Sequence, residues 1–509
     1  MRCSILLLLL FFSPFFKLAA QYYSLNIDLP ETNGDLGASI WDMGDGLMIQ
    51  NGAICDGMDC FIVVKTDYSG NVQWHKITEG YKCPRSDADA MIQKGEHFYA
   101  VLKDNEIVEE RVKVVKLDAQ GEWLDEWDFG AGIEGERPLL MSQFGDGFFL
   151  SNVAYDGPDG LNWLQYFDSN MINIHNVFFP DEAPYWFIGV NDVIETSDSN
   201  LVVTNTVGLD DGLVTKINGQ GEVLWQNRLK GHYVSQLEVL QLDNGNIAAS
   251  WYGRDTGIIW PFGDDSPKIL GLSPQGDSLW SNLLASDGSF SNYLLSMVKA
   301  RNGDIIGMGQ YFIQIEEPWD LIHTGWIFRM SQEGELLWQR LIFDERAQGT
   351  LYYQYFKHAV ELENGDWVFT GFFGDSSPTS NLESKIWLVR TDANGCLLPD
   401  CDHNIQLVSD TGVYILTDAA FVEKIVPESD FQLFPNPVRE EIHLQFAQPL
   451  PDNSQAFIFN QLGQLVEQKD VSQQQSFIWP IEGLQGGLYF MVAQTPDGRG
   501  WKKRFLVMD

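Results

Sequence analysis

One unit recurs seven times along this chain, and that repetition restricts the fold more than any other feature. Each copy is an apolar strand, a polar turn centred on Gly, and a second strand that often carries Trp. The copies are Phe61–Ile77 (FIVVKTDYSGNVQWHKI), Val112–Phe129, Leu161–Phe179, Gly212–Leu229, Lys268–Leu284, Gly325–Ile342 and Ser384–Cys401. Their turn positions are Gly70, Gly121, Asn170, Gly221, Gly276, Gly334 and Gly395, roughly 50–60 residues apart. A second hairpin precedes each copy, as at Gly44-Asp45-Gly46, Gly145-Asp146-Gly147, Asn244-Gly245, Asn302-Gly303 and Asn364-Gly365. Asn-Gly between alternating apolar runs marks a hairpin, because both turn residues take positive φ. Two hairpins per unit give four strands, the content of a propeller blade. The expected fold is all-β, a seven-bladed β-propeller over residues 21–401. A long sandwich or solenoid does not call for two hairpins in every period.

The sequence also indicates how such a ring would close. Trp74, Trp225, Trp280 and Trp338 stand four residues after their turn glycines, on the fourth strand of a unit. The seventh copy has Cys396-Leu397-Leu398-Pro399 there instead, and Pro interrupts strand pairing. Tyr22–Leu29 (YYSLNIDL), ahead of the first unit, reads as an orphan strand. It is expected to supply the outer strand of blade seven.

The Trp spacing resembles the docking tryptophans of pyrroloquinoline-quinone dehydrogenase propellers. Those have eight blades, a Thr before the Gly and a vicinal Cys pair over the cofactor. This chain has seven units and no adjacent cysteines, so the resemblance carries over a packing device and leaves the quinone cofactor doubtful. Similarity to sialidase Asp-boxes is weaker, since these place the aromatic residue three positions after Gly. Over most of its length the repeat resembles secreted, Asp/Gly-rich propellers of Bacteroidetes-type bacteria.

Residues 1–20 have a basic start (Arg2), an apolar run from Ile5 to Phe16 broken by Ser13-Pro14, and Leu18-Ala19-Ala20. That is the pattern of a cleaved signal peptide, and the run is short for a membrane span. No other window is apolar enough to span, so no transmembrane segment is expected in the mature form. Acidic residues number 71 against 32 basic ones, a net charge of −39. Such a field repels phosphate backbones and excludes a nucleic-acid partner. Export would place the cysteines where disulfides persist. Cys55 and Cys60 have the same spacing as Cys396 and Cys401, which makes two short loops and leaves Cys83 over. Pairing of Cys83 with Cys55 or Cys60 is the alternative. No CxxC pair is present to found a zinc site.

Residues 402–430 read as a linker with short strands at Ile405–Val408 and Val413–Leu416. Residues 431–509 change character into short alternating strands broken by Gly, Pro and Asn turns, which indicates a small immunoglobulin-like β-sandwich. Four motifs follow in order: FPNPV with Pro435, Asn436 and Pro437; FNQLGQLV with Gly463; LQGGLYFMV with Gly487 and Tyr489; and a basic ending with Lys503. This module resembles the type A C-terminal sorting domain of the type IX secretion system along its full length. The resemblance implies passage through that translocon, removal of the domain by a surface peptidase, and release or attachment to surface lipopolysaccharide.

Catalytic motifs are harder to find. Gly276-Asp277-Ser278-Leu279 spells a GDSL lipase motif, but Gly276 is the repeat turn and no α/β elbow stands behind the serine. The eight His are scattered. Acidic clusters such as Asp156–Asp159, Asp210-Asp211 and Asp264-Asp265 lack the spaced oxygens of an EF-hand loop. They read as solvated turns, with calcium a secondary expectation, and no cofactor is expected. Paired carboxylates for glycoside hydrolysis are not identifiable among 71 acids.

What remains is loop asymmetry. Connections between second and third strands, and between blades, are long, as in Gly253–Lys268, Ile313–Thr324, Asp181–Phe187 and Phe343–Phe356. Long loops on a rigid frame hold binding sites. Trp186, Trp260, Trp319, Tyr352 and Tyr353 offer flat faces beside carboxylates, suited to sugar stacking or to a cationic peptide. The expected function is a secreted or surface-displayed binding propeller with a glycan or protein ligand on this face. The alternative is a propeller enzyme: a glycosidase, a polysaccharide lyase or a quinone-dependent dehydrogenase.

Overall fold

The computed structural model describes residues 22–29, 32–55, 58–82, 91–104, 112–129, 137–154, 161–178, 187–207, 211–230, 232–254, 265–284, 292–314, 321–344, 352–375, 384–397, 405–409, 412–416 and most of 431–507. All regular elements there are strands. The signal-peptide segment lies outside the described residues.

Seven mainly antiparallel sheets, here called blades, follow one another along the chain up to residue 416. Blade one is Asn33–Asp42, Leu47–Cys55, Met58–Thr66 and Val72–Glu79, paired in that order. Blades three to six repeat the scheme. Blade two carries an additional short strand, Tyr81–Lys82, against His97–Asp104. Blade seven consists of Tyr352–Glu361, Trp367–Asp375 and Ser384–Thr391, and its outer place is taken by Tyr23–Ile27. That N-terminal strand runs antiparallel to Ser384–Thr391, with Leu25 opposite Leu388.

Apolar side chains gather between blades. Met48 and Phe61 of blade one meet Met91 and Phe98 of blade two, and Val101 meets Phe148 of blade three. Phe149 meets Val203 of blade four, and Val202 meets Leu237 of blade five. Ala248 meets Trp326 of blade six, and Ile327 meets Phe356 and Trp387 of blade seven. The seventh cluster joins Val368 and Ile386 to Ile40 and Ile62 of blade one. Each blade is thus buried on both faces by its neighbours, which is why its middle strands read as continuous apolar runs. First strands of adjacent blades touch one another from blade two through blade seven and on to blade one, whereas outer strands such as Val72–Glu79 are exposed or half-buried along their length.

The repeat glycines occupy one kind of turn. Gly70 N–H donates to the Asp67 carbonyl at 3.0 Å and Asp67 N–H to the Asn71 carbonyl at 3.0 Å, and the ladder slips one residue beside the turn. This is a type I turn followed by a bulge whose residue must be left-handed; Gly70 has φ of 81°. In the third unit that position is Met171 (φ 60°), one residue after the Asn170 expected from sequence. The Met171 side chain is buried between blades two and three, which offsets the left-handed backbone. Ser199 (φ 58°) takes the same conformation in the first hairpin of blade four.

The Trp repeat packs one blade onto the next. Trp74, Trp225, Trp280 and Trp338 lie against Gly121, Gly276, Gly334 and Gly395 of the following blade. A β-carbon on Gly276 would approach the Trp225 ring to 2.8 Å. Trp225 Nε1 also donates to the Pro274 carbonyl at 3.0 Å, and Trp280 Nε1 to that of Gln332 at 3.2 Å. Val177 serves against Gly221, and Leu25 of the N-terminal strand against Gly70.

Residues 405–416, read above as linker, form the hairpin Ile405–Ser409 and Gly412–Leu416. It adds in parallel to Leu336–Asp344 and extends blade six to six strands. From Phe431 onward two further sheets, of three and four strands, enclose a separate core with Ile442, Trp479, Met491 and Phe505. This is the immunoglobulin-like sandwich.

Candidate functional site

The ends of the strands that lead into the long connections 255–264, 285–291, 315–320 and 345–351 carry a chain of aromatic rings. Tyr252 of blade five lies 4.8 Å from Tyr293 of blade six, centroid to centroid. Tyr293 is 5.7 Å from Phe312, Phe312 is 4.5 Å from His323, and His323 is 4.0 Å from Tyr353 of blade seven. Strand register explains the middle of the chain, since Tyr293 pairs with Gln310 and Phe312 with His323. These side chains therefore share one face of blade six. Tyr252 and His323 are buried, whereas Tyr293, Phe312 and Tyr353 keep part of their surface exposed.

A polar pair sits inside this belt. Gln310 Nε2 donates to His323 Nδ1 at 2.7 Å, and both residues are buried. Because the amide nitrogen can only donate, Nδ1 must accept, which puts the imidazole proton on Nε2. Burial holds the His323 pKa down to about 4, so the ring is neutral at ordinary pH. Buried Asn292 anchors the neighbouring backbone, its Oδ1 accepting from Phe312 N–H at 2.9 Å. At the same blade interface, Gln354 and Asp344 exchange two hydrogen bonds of 2.9 Å. Ser24 Oγ donates to the Asp344 carboxylate at 3.0 Å and accepts from Trp387 Nε1 at 2.8 Å.

Of the ligand-binding residues expected from sequence, Tyr353 belongs to the belt. It stands with Tyr352 at the start of the strand Tyr352–Glu361, not in a loop as expected. Trp186, Trp260 and Trp319 lie outside the described residues. Tyr252, Tyr293, Phe312 and His323 were not anticipated. The only sequence signal for them was an aromatic at a strand end.

The opposite face, with the tight turns, holds a shallow cleft of about 410 Å³ lined by Asp42, Gln93, Glu96, His97, Asp118 and Gln120. Its acids are partly committed: Asp118 Oδ1 accepts from the N–H groups of Gln120 and Glu122, both at 2.8 Å. No group of three or more His, Cys, Asp or Glu able to hold a metal occurs among the described residues. In one of the acidic clusters considered for calcium, Asp211 is engaged by Arg228. Ser278 of the GDSL string opens the outer strand Ser278–Leu283 and is exposed at the rim. Cys55 and Cys60 form a disulfide, and Cys396 is disulfide-bonded as well; Cys83 and Cys401 lie outside the described residues.

In the sorting module, Phe434-Pro435 is a cis peptide and Pro435 is exposed. Gly487 opens the strand Gly487–Gln494, on which Tyr489 is buried and stacks on Phe505 at 5.7 Å. Lys503 lies on the last strand, paired with Met491. Asn436, Pro437 and Gly463 lie outside the described residues.

Strand order and blade contacts define a β-propeller joined to a β-sandwich. Residues 432–508 match the secretion system C-terminal sorting domain. That domain directs the protein through the type IX secretion system to the cell surface or outside. Among the described residues, no helix is long and apolar enough to cross a membrane. No curated protein matches the chain. Solved structures similar to it include a protein of unknown function from Dyadobacter fermentans, with 11% identity and TM-score 0.40, covering 72% of this chain and 97% of that one. The β-propeller domain of the Trilobed protease from Pyrococcus furiosus has 10% identity and TM-score 0.36, covering 70% and 95%. The polysaccharide lyase Uly1 has 10% identity and TM-score 0.35, covering 60% and 90%. The fold assignment rests on strand pairing, not on these likenesses.

Proposed function

We propose that this exported propeller is a binding protein that takes its ligand, a glycan or a protein segment, at the mouth of the ring where the long connections emerge. The observation that carries the reading is the aromatic belt, in which rings from blades five, six and seven meet at one end of the strands. Partly exposed rings on rigid strand ends provide pre-organised stacking surfaces at little entropic cost. A neutral His and a Gln behind them add directional hydrogen bonding without charge. Removal of the sorting domain by a surface peptidase, followed by release or lipopolysaccharide attachment, completes the proposed life of the chain.

The test is a screen of the purified protein against immobilised glycans and peptides, with a Tyr293→Ala/Tyr353→Ala double variant alongside. Binding by the parent that the double variant loses, with melting temperature retained, supports the reading. Ligand-independent behaviour of both proteins, or turnover of a polysaccharide in place of stable binding, overturns it.

A further inference from the structure

We propose that Tyr293, Phe312 and Tyr353, with the Gln310–His323 pair behind them, form a subsite for an uncharged sugar ring, so that the ligand is a neutral glycan. The inference rests on the binding reading above and narrows it to one chemical class.

The first argument is the unused hydrogen-bonding capacity of the pair. Gln310 is 6% exposed and His323 is 7% exposed, so both side chains are largely withdrawn from bulk water, where a hydrogen bond to a ligand counts for more. Their mutual bond uses one Gln310 amide proton and His323 Nδ1. His323 Nε2–H, a donor, and Gln310 Oε1, an acceptor, have no hydrogen-bond partner among the described residues. A donor and an acceptor on bonded side chains match two adjacent hydroxyls of a pyranose, each of which both donates and accepts. A purely apolar ligand would leave both atoms unmet.

The second argument is charge. Among the described residues, the four ring contacts and the Gln310–His323 hydrogen bond that build the belt involve no Lys, Arg, Asp or Glu. A uronate or sulfated glycan would find no cation among these described contacts and would meet a chain of net charge −39. A cationic peptide would find no carboxylate among the same described contacts. Asp344, on the same blade interface, is fully buried and accepts from Ser24. The third argument is shape: partly exposed rings beside a polar pair present a flat apolar platform with a polar edge. That is the complement of a sugar, whose C–H face stacks while its hydroxyl rim bonds.

The test probes an array of unsubstituted gluco-, xylo-, manno- and galacto-oligosaccharides, their uronate and sulfated counterparts, and an oligolysine peptide. The purified protein, Tyr353→Ala and His323→Phe are compared, each with its melting temperature. The expected result is binding to at least one neutral oligosaccharide, weakened about tenfold or more by each variant. Tyr353→Ala, at a partly exposed position, keeps the test valid if His323→Phe misfolds. Preference for a charged glycan or for oligolysine, still lost in Tyr353→Ala, overturns the neutral-sugar class and leaves the location standing. Neutral-glycan binding untouched by Tyr353→Ala overturns the subsite, and absence of binding to every probe overturns both.

Discussion

At the scale of single residues, one side chain and one backbone torsion recur as the units of construction. Asp67, Asp118, Asp168, Asn218, Ser273, Ser331 and Asp392 each stand three residues before the left-handed turn position. Each accepts from two backbone N–H groups of its own turn, as in Asp392 to Asn394 and Cys396 at 2.8 Å. The left-handed residue itself explains the glycines, and it makes opposite substitutions informative. Ser199 is exposed with φ of 58°, so Ser199→Gly should stabilise by about 0.5–1 kcal/mol in denaturant unfolding. Gly334 has φ of 84°, and a β-carbon there would come within 2.5 Å of the Trp280 ring. Gly334→Ala should therefore destabilise by about 2–4 kcal/mol, and equal effects of the two changes would contradict this account. His323 supplies a pH signature. Its folded pKa is held down to about 4 by burial, against about 6.5 unfolded. Between these values the unfolded chain binds more protons, so stability is intact above about pH 6.5 and declines as pH falls toward 4. The loss amounts to up to about 3 kcal/mol. His323→Phe should lessen, not abolish, the fall in melting temperature between pH 7 and 4.5, because burial also holds the His358 pKa down to about 4. The lowered Asp198 carboxyl, at about 2, titrates below that window.

At the scale of elements, the hairpins and their period were legible because Gly and Asn-Gly turns leave a local mark. The turn caps were equally visible as Asp, Asn or Ser three residues before each turn, yet acids in turns were read only as solvated. Met171 escaped because the sequence rule equates left-handed backbone with Gly or Asn, while burial of its side chain decides here. The binding belt was illegible for a different reason. Tyr252 and Tyr353 are brought to one ring mouth by three blades, and no spacing in the chain encodes that meeting. The closing strand shows what an element contributes beyond its hydrogen bonds. Tyr23 and Ile27 enter the core between blades seven and one, Leu25 covers Gly70, and Ser24 bridges Asp344 and Trp387. Deleting residues 22–29 removes about 5 kcal/mol of apolar burial and leaves Trp387 Nε1 without its acceptor. The melting temperature should fall on the order of 10 °C. An unchanged value in differential scanning calorimetry would show that the ring does not need this strand.

For the whole molecule, the acidic excess acquires a structural meaning it lacked as a bare sum. Asp45, Asp198, Asp304 and Asp366, in first-hairpin turns, pair with Lys65, Lys216, Arg329 and Arg390 on third strands of the same blades. Arg329 and Arg390 reach further, to carbonyls of Ala393 and Tyr68 in the next blade, at 3.3 and 3.0 Å. These four bases are thus spent inside and between blades, and the chain keeps a large acidic excess, which opposes association during export. Stability and address are also separate in the architecture. Among the described residues, the core of the sandwich is built from residues between Leu433 and Val507, and none of the seven inter-blade cores draws on it. Deleting residues 431–509 should therefore abolish appearance at the surface or in the medium, with the chain retained behind the outer membrane. The retained ring should still melt cooperatively, within about 2 °C of the ring transition in the complete protein. Cell fractionation with immunoblotting reads the first outcome and calorimetry of the purified truncation reads the second. Continued display would separate this module from sorting, and a collapsed ring would mean that the sandwich supports the propeller as well as directing it.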